Sequence, residues 1–178
     1  YSTGDMLDYV SVNKLIFYLR TVPDGVLHRS QAMPQLVETS LNLGIMELRE
    51  DCLYTVTSIR SSVSSRKTDV MERVLSVIEM VGGEAEVQGD YPAWEYRQDS
   101  ALRELIARVY EEQYHRKPVF DAIHAGLECG LFADQIMGLD CVSFGPDILD
   151  IHTPKERLDI ASVGHVWDFL VELIKQAK

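Results

Sequence analysis

The chain reads as an α/β protein made of two successive units, and three observations predict this. Residues 36–48 alternate apolar and polar side chains with a period of two, the mark of a half-buried strand, and a second β-rich stretch follows after a polar turn. Segments with apolar residues at helical spacing flank that pair on both sides. After Tyr91-Pro92-Ala93-Trp94, an extended, proline-limited break, helical and short apolar stretches alternate instead.

Residues 7–19 read as the first helix, with Val10, Leu15, Ile16 and Leu19 apolar, stopped by the turn signature Pro23-Asp24-Gly25. In 36–48, Val37, Thr39, Leu41, Leu43 and Ile45 are expected on one face, and Glu38, Ser40, Asn42 and Gly44 on the other. Arg49-Glu50-Asp51 turns the chain into a returning strand at 53–59. A helix capped by Thr68 or Asp69 follows, with a stripe of Val70, Val74, Leu75, Ile78 and Val81 and a Gly82-Gly83 stop. A short strand is expected at 84–88. In the second unit, 99–114 reads as a helix with the stripe Leu102, Leu105, Ile106 and Val109, supported by a Glu104–Arg108 pair. Residues 119–123 and 140–144 read as short buried strands, separated by the glycine-punctuated Gly126-Leu127-Glu128-Cys129-Gly130. A last helix at 162–177 carries Val163, Val166, Trp167, Leu170 and Ile174 on one face. No internal repeat or low-complexity tract appears.

At 178 residues, 46% hydrophobic and 25% charged, the composition is that of an ordinary globular chain of one domain or two small ones. No apolar run reaches the roughly 18 residues of a membrane helix. The start carries no signal-peptide pattern and no initiator Met, so a truncated or processed piece is expected. Seventeen Lys and Arg face twenty-eight Asp and Glu, for a net charge of −11. Up to residue 97 there are nine basic and fourteen acidic residues, and eight and fourteen after it, so neither part offers a basic stripe. Nucleic-acid and anionic-membrane partners are therefore excluded on electrostatic grounds. Cys52, Cys129 and Cys141 are odd in number and far apart, without a CxxC; they read as reduced thiols of a cytoplasmic protein.

Among groups that carry chemistry, His28 and His115 stand beside arginines in expected surface turns, and His165 reads as a partly buried structural residue. His124 and His152 each follow a short apolar run and fall in loops, where α/β proteins place functional groups. Pro154 stiffens the backbone after His152, so its imidazole can be held in one orientation, as a metal ligand requires; on spacing alone a structural role stands beside that reading. There is no HExxH, HxD or Cys/His cluster, and no phosphate-binding GxxxxGK[ST]. Glu111-Glu112 reads as a solvated helix face. A cysteine-hydrolase pair of Cys129 and His124 lacks an orienting third group. The residues alone lead to an acidic α/β chain with a candidate site near His124, Glu128, Gly145 and His152.

Longer strings sharpen this. Ile123-His124-Ala125-Gly126-Leu127-Glu128-Cys129-Gly130-Leu131-Phe132, Val142-Ser143-Phe144-Gly145-Pro146 and His152-Thr153-Pro154-Lys155-Glu156-Arg157 resemble the signatures of bacterial aminoacyl-histidine dipeptidases. So do Pro23-Asp24-Gly25-Val26 and Leu36-Val37-Glu38-Thr39-Ser40-Leu41-Asn42-Leu43-Gly44, in the same order. Met137 stands where the pattern has Pro, and Ile151 is bulkier than usual. The group is that of the zinc metallopeptidases, with carboxypeptidase G and carnosinase.

The resemblance covers the C-terminal part of a longer chain. It implies that residues 1–97 are the later part of an α+β lid domain and 98–178 the final segment of the α/β catalytic domain. The family's HxD, bridging Asp, paired Glu and further Asp ligand, and the lid's Gly-His-Ser-Gly, have no counterpart here. What the resemblance carries over is His152 as the last ligand of a two-zinc centre and Arg60 as the fork for the substrate's terminal carboxylate. Asn42 would orient the same ligand, Gly145 would let its backbone approach closely, and Glu128 and His124 would belong to the substrate pocket or its support. The implied reaction is hydrolysis of Xaa-His and related dipeptides by zinc-activated water, with the proton taken by a Glu upstream and the lid closing over the site. The chain alone, lacking the other donors, is expected to be inactive. The alternative expectation is a non-catalytic module in which the lid sheet self-associates as a homodimer.

Overall fold

The fold is mixed α/β. A computed structural model describes residues 6–122 and 128–177. The chain divides between Glu95 and Tyr96: a first unit runs to Glu95 and takes residues 128–130 as well, and a second takes Tyr96–Ala122 and the chain from Leu131 onward.

In the first unit, α1 (Tyr9–Thr21) starts at Asp8, whose carboxylate accepts the N–H groups of Val10 and Ser11 at 2.8 and 3.1 Å. The strands β1 (Gly25–Arg29), β2 (Val37–Leu48) and β3 (Leu53–Ser61) form one antiparallel sheet in the order β1-β2-β3. β1 lies beyond the sequence reading, which took Gly25 as part of a turn and His28 as a surface turn residue; His28 is half-buried within the strand. The Asp24 carboxylate ties this entry to the sheet by accepting the Leu43 N–H at 2.9 Å.

The alternation in β2 holds from Thr39 to Leu43, with Leu41 only 2% exposed. A register shift between Leu43 and Ile45 then breaks it. Leu43 pairs with Thr57 but Ile45 pairs with Val56, so Ile45 moves to the outer face rather than continuing the inward row. Gly44 stands at that irregularity.

Helix α2 (Ser64–Met80) has its N-cap at Val63, five residues before Thr68, the nearer of the expected caps, and with no side-chain cap. The Glu38 carboxylate, nearly buried on β2, instead ties this first turn down through a 2.9 Å ion pair with Arg66. The helix ends as expected. Gly82 takes φ 73°, and the Gly83 N–H donates to the Ile78 carbonyl at 2.9 Å. The core joins Tyr18, Val22, Leu41, Val70, Val74 and Val77. Val77 replaces Leu75 in the expected stripe, and on α1 it is Tyr18 that is buried, while Val10, Ile16 and Leu19 remain exposed. Residues 84–88 join no sheet: no described strand offers their backbone a partner.

In the second unit, α3 (Ala101–Tyr114) is capped by Ser100, whose hydroxyl accepts the Arg103 N–H at 3.0 Å. It packs against α5 (Ile160–Gln176) through Ile106, Val109, Phe169 and Leu173. Around Phe169 lie Tyr110, Tyr114 and Phe144, at ring separations of 5.5, 6.4 and 5.3 Å. The apolar arc of α5 is wider than the face it buries, with His165, Asp168, Glu172 and Lys175 opposite, so periodicity does not choose which part of that arc turns inward. Phe169 and Leu173 are buried, whereas Trp167 and Ile174 of the expected stripe are more than 60% exposed.

The segments 119–122 and 140–144 form no ladder, against expectation (Ile123 lies outside the described residues). Their side chains have other partners. Phe120 and Val142 pack on the α3–α5 core and Phe144 on Phe169. After the undescribed residues the chain runs as helix α4 (Glu128–Gln135). Gly130 is required there by contact: a Cβ would meet the Pro92 carbonyl oxygen at 3.1 Å. The short strands β4 (Ile148–Leu149) and β5 (Arg157–Leu158) pair antiparallel to make a small hairpin.

Candidate functional site

The β4–β5 hairpin is rooted on the start of α5. Asp159 caps that helix by accepting the N–H groups of Ala161 and Ser162 at 2.8 and 3.2 Å. The Asp147 N–H donates to the Ser162 hydroxyl at 2.8 Å, and the Asp159 N–H to the Asp147 carbonyl at 2.9 Å. From this base the loop lifts His152 into solvent, exposed at its tip.

The loop is tightly wired. Arg157 pairs with Asp150 at 2.8 Å across its neck. The Thr153 hydroxyl donates to the Asp150 carbonyl at 2.7 Å and accepts the Lys155 N–H at 3.1 Å. Asp150 and His152 both adopt left-handed backbone, with φ of 54° and 65°. Such a conformation costs a non-glycine residue about 1 kcal/mol, and it persists only where neighbours fix it. His152 is held by the turn that the Thr153 N–H closes on the Asp150 carbonyl at 3.2 Å and by Glu156, whose Oε2 accepts the His152 N–H at 2.8 Å. The sequence reading credited Pro154 with holding the imidazole; the side chain bonded to the His152 N–H is that of Glu156. An H-x-x-x-E spacing across a proline turn was the signal for Glu156.

The loop that carries Gly145 is anchored at its beginning. Asp140 accepts the Ser100 hydroxyl at 2.7 Å and the Leu102 N–H at 2.9 Å, which ties it to the first turn of α3. Burial pushes the Asp140 carboxyl up. The Leu102 N–H, the Ser100 hydroxyl and the Arg97 and Arg103 charges outweigh it and hold the group below the usual carboxylate range. Gly145 itself is exposed, and nothing stands within 4 Å of where a Cβ would be. The open side therefore leaves its backbone approachable.

In the first unit, Arg60 and Asn42 come to one surface. Arg60 pairs with Ser40, and Asn42 with Ser58, so all four side chains share a sheet face, with Arg60 and Asn42 exposed. That face is opposite the one that buries Leu41. The parity of β2 could have revealed Ser40 and Ser58 as companions. Asn42 thus lies on a sheet face two strands deep, since β2 is the central strand rather than an edge.

The remaining expectations divide. Glu128 is the exposed first residue of α4, and His124 lies outside the described residues. Cys129 is half-buried on α4, and none of the three cysteines forms a disulfide among the described residues. His165 is exposed, not partly buried; its carbonyl accepts the Tyr114 hydroxyl at 2.9 Å. Burial, with the Asp168 and Tyr110 charges, raises the Tyr114 phenol against the pull of Arg116. In the second unit, a groove of about 480 Å³ runs beside Glu112, Gln113, Trp167, Asp168, Glu172 and Lys175, and none of the expected site residues lines it.

Among the described residues, no three His, Cys, Asp or Glu side chains gather closely enough to hold a metal ion. His152 fits the role of one preset donor.

Comparison with known proteins gives this arrangement a context. The chain is 36% identical to the cytosol non-specific dipeptidase of Escherichia coli over 166 residues, covering 93% of the chain and 34% of that enzyme. It superposes on the crystal structure of aminoacylhistidine dipeptidase from Vibrio alginolyticus with a TM-score of 0.87 at 35% identity, over 98% of the chain and 36% of that structure. The chain is a homologue of these dipeptidases. It spans about a third of their length. An aminopeptidase PepT structure from Bacillus cereus shares the fold at 17% identity, with a TM-score of 0.70 over 93% of the chain and 44% of that structure. Scanned against known protein families, the chain matches none. No helix among the described residues is long and apolar enough to cross a membrane.

Proposed function

We propose that this chain is the C-terminal part of a zinc-dependent dipeptidase that hydrolyses Xaa-His and related dipeptides in the cytoplasm. The observation that carries the reading is the match to the V. alginolyticus dipeptidase, which takes in 98% of the chain. In this reading, residues 1–97 serve as the later part of a lid and 98–178 as the last segment of the catalytic domain. His152 donates a ring nitrogen to one of two zinc ions. When bound, the zinc pair supplies acidification of a water and polarisation of the scissile carbonyl. Arg60 grips the dipeptide's carboxylate with its planar fork, and Asn42, on the same sheet face, orients it. Gly145 lets the substrate backbone come close, and Glu128 and His124 shape the pocket.

In this reading the chain supplies His152 to the centre and is inactive by itself. The purified 178-residue protein is expected neither to hydrolyse Xaa-His dipeptides nor to retain stoichiometric zinc; turnover by this chain alone would contradict the reading. In a hybrid where it replaces the matched third of the E. coli enzyme, hydrolysis is expected, and loss of it with His152→Ala.

A second reading, a self-associating module, is favoured by the apolar outer end of the β2–β3 pair, where Ile45, Leu48, Tyr54 and Val56 are exposed. A concentration-dependent dimer mass is its expected sign; a strict monomer at high concentration would end it.

A further inference from the structure

We infer that Glu156 is a positioning residue for His152: its carboxylate sets the left-handed backbone from which the imidazole projects, before any metal arrives. The functional meaning of this inference rests on the proposed ligand role of His152, but its structural content does not.

A histidine ring is aimed by its own φ and ψ together with χ1, so the backbone conformation decides which way the ring points. At φ 65° His152 lies in a region that L residues seldom occupy, and a solvent-exposed loop tip would relax out of it unless held. The Asp150–Arg157 pair closes the neck, and the Thr153 N–H and hydroxyl both donate to the Asp150 carbonyl, at 3.2 and 2.7 Å, closing a turn in which His152 takes the position that needs a positive φ; a turn of this kind leaves the His152 N–H itself unbonded. The 2.8 Å bond from the His152 N–H to Glu156 is the contact made at the histidine itself. A charged acceptor makes it stronger than a neutral one would. A ligand held in this way avoids ordering cost when the metal binds, because its conformation is already chosen. The usual arrangement supports a ligating histidine through its second ring nitrogen; here the support acts on the main chain.

The test needs no metal and uses the isotope-labelled 178-residue chain with Glu156→Ala and Glu156→Gln. In the unmodified chain, His152 is expected to show the strong intraresidue HN–Hα NOE of a positive φ and a downfield amide proton. Glu156→Ala is expected to lose both, while the resonances of Ile148, Leu149, Arg157 and Leu158 stay in place. Glu156→Gln, which keeps a side-chain oxygen at the same reach, is expected to retain the NOE. The inference is overturned if Glu156→Ala leaves the His152 NOE and amide shift unchanged. It is equally overturned if they vanish only together with the β4–β5 resonances, since Glu156 would then merely hold the hairpin shut. A preserved NOE loss beside an active His152→Ala hybrid would sink the proposed function and leave this inference standing.

Discussion

The two units solve the same problem with different success. In the first, the strands find ladder partners: β2 lies between β1 and β3, and Leu41 meets Val70 and Val74 in one core. In the second, one helix pair carries a compact aromatic core, while the apolar segments 119–122 and 140–144 run without a ladder and the outer side of α5 shows Trp167 and Ile174 to solvent. The contrast teaches that strand-forming sequence is a demand for a neighbour. Where the described strands supply none, the side chains settle for packing and no ladder forms.

The strongest way to sharpen the comparison is to remove the central side chain of each core. Phe169→Ala should cost the second unit about 3–5 kcal/mol and Leu41→Ala the first about 2–5 kcal/mol, read from denaturant midpoints. If Phe169→Ala costs under about 1 kcal/mol, the aromatic cluster is not the core of that unit. A middle-sized effect is expected at Asp140. Its folded pKa is depressed, so the stability it contributes is present above its unfolded value near 4 and is lost as pH falls through the folded value. Asp140→Asn should therefore cost roughly 1–2 kcal/mol at pH 7 and flatten the acid limb of the stability curve below about pH 4; an unchanged acid limb would show that the carboxylate is not tied to α3. In hydrogen exchange, the amides of 140–144 should exchange well before those of β2; equal protection would mean that the segment has found a ladder. The smallest stability change is expected for Arg60→Ala, within about 0.5 kcal/mol as for an exposed strand position. In the hybrid enzyme the same substitution should raise KM for dipeptides, and an unchanged KM would remove Arg60 from the substrate.

Much of the first unit was legible because its signals are local. The period of two in β2, the Gly82 stop of α2 and the turn at 49–51 each state their own geometry. The failures have physical causes. The bulge beside Gly44 flips Ile45 without any change in composition, and α2 starts early because the Glu38–Arg66 pair, not a capping side chain, secures its first turn. α5 could not announce which apolar side faces inward. The strands expected at 84–88, 119–123 and 140–144 depend on partners that no short window of sequence contains. At the candidate site, His152 and its rigid loop were readable from Pro154. For Glu156 the sequence offered only the four-residue spacing, which says nothing of the main-chain bond it accepts from His152.

The claim on which the rest depends is that His152 is a zinc ligand, and anomalous scattering at the zinc edge from crystals of the hybrid enzyme tests it most directly. A zinc peak about 2.0–2.1 Å from a His152 ring nitrogen is the predicted result. A fully occupied zinc centre with the His152 ring turned away from both ions would contradict it.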